Sequence, residues 1–232
     1  MNLVITKRFK EIQDTKSIYF KDINIVEKYL DQDADFNVDQ MISFLTKKFS
    51  RIGYHNVDER FIDILNIDSF HFHAWLEADQ YSSQIEINIE KVYSNLSLLD
   101  YDEELWFEGQ PEEEKTLWKT FRSFDTRPEI GDNKMAVFSI KEGVSPPAEP
   151  AIYFLDRAKA FKTNLTFVQY YDAVLDMMGI ADWQLLFADI SWNDPQVEDY
   201  YSGLKESLEA LSKAFPEKDY SKYFELLESK WK

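Results

Sequence analysis

The segment from Thr166 to Gly179 leaves the chain little conformational choice. Phe167, Tyr170, Tyr171, Val174, Leu175 and Met178 recur at offsets of 0, 3, 4, 7, 8 and 11, which gathers them on one stripe of an α-helix and would scatter them over both faces of a strand. Thr166 is placed to accept from a first-turn backbone N–H, and Gly179 to take the left-handed conformation that ends a helix. A stripe carrying Phe167, Tyr170 and Tyr171 needs an apolar cover, so the question becomes what packs against it.

The nearest candidates are short extended runs. Met135 to Ile140 and Ala151 to Leu155 are rich in strand formers, and Ala160 to Thr163 follows the polar turn Asp156-Arg157-Ala158-Lys159. Together they predict a small, mainly antiparallel sheet. Trp183 and Phe187, one helical turn apart, are expected in the core, which leaves Asp182, Asp189 and Asp194 on an exposed edge. Asp194 and Pro195 form a helix-start signal ahead of Val197, Tyr200, Tyr201, Leu204, Leu208 and Leu211, with Pro216 beyond the end. A last helix carries Tyr220, Tyr223, Phe224, Leu227 and Trp231.

Upstream the pattern is mostly helical. Asn37 caps Val38, Met41, Ile42, Leu45, Phe49 and Ile52, and Gly53 stops them. Residues 80–99 are ambiguous: Ile85, Ile87 and Ile89 alternate like a strand, whereas Ile89, Val92, Tyr93, Leu96 and Leu99 step like a helix. We read this segment as helix. The expected fold is therefore α+β and helix-rich, with a small, mainly antiparallel sheet flanked by helices. One domain spans 1–232, with a mostly helical part over about 1–128 and the sheet plus C-terminal helices over about 129–232. The Pro-rich Ser145 to Pro150 reads as a surface connection.

Composition supports a packed core. Aromatics supply 16% of the chain, as 18 Phe, 13 Tyr and 6 Trp, enough apolar surface to offset the entropy of ordering. With no Cys, disulfides, thiolate nucleophiles and thiolate metal sites are ruled out. Leu3 to Ile5 is too short for a secretory apolar region, and no run approaches the roughly 18 apolar residues of a membrane span. The expected location is the cytoplasm, with no membrane partner.

A formal net charge of −17 excludes nucleic acid as a natural partner, because such a surface has no excess of cations with which to displace phosphate counterions. The acidity serves solubility, or it steers a basic partner. Among candidate chemistries, His71-Phe72-His73 offers two imidazoles on one face of a strand, with Glu77 or Asp79 as further ligands. The other reading is an aromatic patch of Phe70, Phe72 and Trp75 with polar edges, and no metal is expected. The 43 acids make any carboxylate pair uninformative. Six glycines, at 53, 109, 131, 143, 179 and 203, assemble no phosphate-binding loop, and no nucleophile elbow or kinase set is present. No catalytic residue and no cofactor is assigned.

The stretch from Asp100 to Glu114 holds eight acids and no base, with Leu105, Trp106 and Phe107 embedded. Apolar anchors in an anionic frame suit a basic protein, so Glu103, Glu104, Trp106, Glu112 and Glu113 are the candidate partner-binding residues. The competing interpretation is a solvated loop whose aromatics fold back into the core.

From Pro150 to Asp189 the chain carries Ile152-Tyr153-Phe154-Leu155, then Asn164-Leu165-Thr166-Phe167 opening a helix with Tyr170 and Tyr171, then Gly179, Asp182-Trp183-Gln184 and Leu186-Phe187. This texture resembles the C-terminal portion of the SUKH superfamily, the SMI1/KNR4-like domains. The resemblance implies an α+β fold and a non-enzymatic role, many bacterial members being immunity proteins that bind and neutralise a toxin domain. The expected function is accordingly a non-catalytic protein-binding module with a basic partner, a toxin domain in the immunity case. The alternative is a small-molecule-binding protein or enzyme with an aromatic-lined pocket.

Overall fold

The computed structural model describes residues 70–78, 81–89, 111–127, 131–141, 149–157, 159–190 and 197–230. The expected helix from Asn37 to Gly53 lies outside them. The chain is an α+β protein. Its strands are β1 Phe70–Ala78, β2 Tyr81–Ile89, β3 Phe121–Thr126, β4 Met135–Ser139, β5 Ala151–Asp156 and β6 Lys159–Lys162. They form one six-stranded sheet in chain order, each strand antiparallel to the next. The helices are α1 Glu112–Trp118, α2 Phe167–Met177, α3 Glu198–Ala214 and α4 Ser221–Lys230, with a 3₁₀ turn at Trp183–Phe187.

The two-residue period sorts the sheet into two faces. Ala136, Phe138, Ile152 and Phe154 join the main core with α2, the 3₁₀ turn, α3 and α4, whereas Val137 and Leu155 face the other way into a smaller cluster capped by Trp118 of α1. Rings make the joint between sheet and helix. Phe124 stacks on Phe138 at 4.1 Å between centroids and meets Phe167 edge-on at 5.4 Å. Turn chemistry fits the meander: Arg157, beside the closing Asp156–Lys159 pair of the last hairpin, has a φ of 54°, the left-handed value that tight hairpins require.

α2 begins as its sequence dictates. The Thr166 hydroxyl accepts from the Gln169 N–H while the Gln169 side chain accepts from the Thr166 N–H, a complete capping box. Its end is handed over two residues, Met178 and then Gly179, both left-handed.

Two expectations are corrected. Within the segment read as helix, Tyr81–Ile89 is a strand. Ile85 and Ile87 are both in the main core, and β-branched residues alternating into a core favour the extended backbone; the helical pattern from Ile89 to Leu99 falls on residues 90–99, which lie outside the described residues. The described part of 1–128 consequently holds three strands and one short helix. The helix expected from Asp194 and Pro195 starts later, at Glu198, with Val197 as its cap residue; Asp194 and Pro195 lie outside the described residues. α3 packs across β1 and β2 and against α4. Among the described residues no helix is long and apolar enough to cross a membrane.

Candidate functional site

Of the candidate partner-binding residues, Glu103, Glu104 and Trp106 lie outside the described residues. Glu112 and Glu113 stand with Glu114 in the first turn of α1, all three exposed. Pro111 precedes them without a side-chain cap bond, so the acids compensate the free N–H groups at the positive end of the helix. Lys115 reaches Glu112 at 2.8 Å and holds its carboxyl below the usual range by hydrogen bond and charge. The far end of α1 is fixed: Trp118 is buried, edge-on to Phe121 at 5.5 Å, and Phe121 in turn contacts Tyr153. The acidic turn is thus carried on an anchored element. His71 and His73 fall in β1 opposite Asn88 and Glu86, and among the described residues no cluster of His, Asp or Glu is arranged to hold a metal.

Sequence reasoning missed two buried polar systems. In the first, Arg127, Asp132, Lys134, Asp156, Asp182 and Tyr200 meet at the end of the sheet where β3 leaves and β4 begins. Lys134 lies 2.7 Å from Asp182 and 3.7 Å from Asp156, and Arg127 lies 3.0 Å from Asp132 and 3.8 Å from Asp182. The Tyr200 hydroxyl donates to Asp156, and the Lys134 ammonium sits 5.0 Å from the Tyr200 ring centre. Asp182, expected on an exposed edge, is a correction. Its side chain is 15% exposed, and burial raises its carboxyl against the opposing pull of Lys134 and Arg127. The reason is its place at the start of the 3₁₀ turn, which brings it over the β3–β4 connection. Asp189 is exposed as expected.

In the second system, Asp125 is buried in the sheet. It accepts from the Tyr170 hydroxyl at 2.5 Å and from the Asn88 N–H at 3.3 Å, and Gln184 donates to Tyr170 at 3.2 Å. Burial pushes the Asp125 carboxyl up to about 6, and burial together with Asp125 holds the Tyr170 hydroxyl well above its ordinary range. Tyr170 is therefore a permanent donor here and not a base. Strict alternation from Phe121 would send Asp125 to the face of Ser123. A bulge between Ser123 and Asp125 sets Asp125 opposite Ala136 instead, on the face covered by α2. An extra residue of this kind leaves no mark in the hydrophobic pattern.

No protein-family model, curated protein or solved structure matches the chain.

Proposed function

We propose that the chain is a non-catalytic protein-binding module of the immunity type, taking a basic partner on the acidic segment that leads into α1. The observation that carries this reading is the exposed first turn Glu112-Glu113-Glu114, held on a helix anchored by Trp118. An anchored helix presents its charges at fixed positions, so a partner loses less side-chain and loop entropy on docking. The net charge of −17 acts in the same direction by speeding encounter with a cationic surface. The resemblance of the Pro150 to Asp189 segment to SUKH domains supplies the class of partner, a toxin domain, and its cationic character follows from the need of a nuclease to grip phosphates.

Two steps test the proposal. The neighbouring reading frames are searched for a large protein ending in a small basic domain, and that domain is titrated with the purified chain and with a Glu112→Lys, Glu113→Lys variant. Tight wild-type binding, weakened at least tenfold in the variant, is expected. Equal binding by both removes the acidic turn from the interface, and no binding by either removes the immunity reading.

A further inference from the structure

Two buried polar systems lie against the end of β3, and one residue belongs to both. Arg127 follows β3 directly and is 6% exposed. Its guanidinium stands 3.0 Å from Asp132 and 3.8 Å from Asp182, and Asp182 is in turn 2.7 Å from Lys134. Asp125, two residues before Arg127, lies on the same face of the extended chain. The 3₁₀ turn spans the same two systems: Asp182 at its start meets Arg127, and Gln184 within it donates to Tyr170, which donates to Asp125. Arg127 therefore has a buried carboxyl on either side, Asp182 in one system and Asp125 in the other.

We propose that Arg127 is a shared cation that couples the two systems, so that a change of charge at Asp132 or Asp182 is felt at Asp125 inside the core. The groups facing Asp125 are Tyr170 from α2, with Gln184 of the 3₁₀ turn behind it, Asn88 and Glu86 from β2, and Arg127. Arg127 is the one cation among these. Facing Asp182 are Lys134, Arg127 and, with like charge, Asp156. Burial raises both carboxyls, and Arg127 pulls both down.

Charges interact strongly where water is excluded, so a cation set between two acids is divided between them. A gain for one is a loss for the other. Asp132, with its side chain 25% exposed, is the most accessible acid in contact with Arg127. Removing its charge leaves Arg127 more available to Asp125, which favours the Asp125 anion. Removing Lys134 has the opposite effect, because Asp182 then draws more on Arg127.

The test is the ¹³C titration of the Asp125 carboxyl in the full chain. Its midpoint, about 6 in the wild type, is expected to fall by about 0.4 or more in Asp132→Asn and to rise by about as much in Lys134→Gln, the lower end of coupling within one network. The Asp132→Asn change keeps the oxygen that accepts from the Lys134 N–H, so the turn is preserved. Both shifts should vanish in an Arg127→Gln background. If that background does not fold, the Arg127 side-chain ¹⁵Nε resonance decides the question: it should move with the Asp125 titration in the wild type and move further in Asp132→Asn. An Asp125 midpoint that is the same in every variant, shifts that survive without Arg127, or an Arg127 resonance that ignores the Asp125 titration would overturn the coupling.

Discussion

Gly179 has a φ of +65°, and a Cβ placed there would stand 2.2 Å from the Glu86 carbonyl oxygen. Two demands meet at one residue, a left-handed turn after α2 and backbone contact with β2. Gly179→Ala is expected to lose roughly 2 to 4 kcal/mol in urea unfolding, more than left-handed strain alone accounts for, because β2 must shift. Stability within about 0.5 kcal/mol of wild type would show that the turn relaxes freely. Trp183 is equally constrained. It is 1% exposed, with the Tyr170 ring 4.8 Å and the Phe187 ring 6.0 Å away, so Trp183→Ala should cost about 3 to 5 kcal/mol by leaving a cavity under α2. A folded variant of unchanged stability that no longer binds its partner would move Trp183 from core to interface. Both residues were legible in the sequence, Gly179 as a helix stop and Trp183 as a core aromatic. Asp182 was not, since its burial depends on Lys134 and Arg127, which are brought to it from distant parts of the chain.

At the scale of elements, legibility followed how locally each one is determined. The start of α2 is encoded within a few residues, and Thr166→Ala, which removes the acceptor for the Gln169 N–H, should lower stability by about 1 kcal/mol. An unchanged unfolding midpoint would mean that solvent replaces the cap. The β4, β5 and β6 strands were likewise visible from β-branched and aromatic runs separated by a turn. β2 was misread because Ile89 belongs to both periods, and the deciding fact is contact of Ile85 with Ile180 and of Ile85 and Ile87 with the main core, which lie far along the chain. The bulge in β3 belongs to the same class, being a property of the pairing with β4 and not of the segment itself. Since that bulge sets the Asp125 carboxyl in the buried face of the sheet, this polar site was closed to sequence reasoning.

At the scale of the whole molecule, the excess of acids raises the question of whether any charge matters by position or only by sum. A uniform field attracts a cationic partner wherever the acids sit, whereas a recognition surface draws the encounter complex to one place. The acids of α1 separate the two cases because Glu112, Glu113 and Glu114 are exposed together on an anchored helix. Reversing Glu112 and Glu113 to Lys also places cations at the positive end of α1, so a small drop in thermal midpoint is expected and must be measured beside the binding. The control reverses Asp31 and Asp33, in an acidic run outside the described residues, and changes the net charge by the same amount. With the partner in hand, association and dissociation rates are measured for both double variants at two salt concentrations. Steering by α1 predicts slower association and a shallower salt dependence for the Glu112, Glu113 variant, with dissociation changing less, and a smaller effect in the control. Equal slowing in both variants would mean that only net charge counts and that α1 is not where the partner lands.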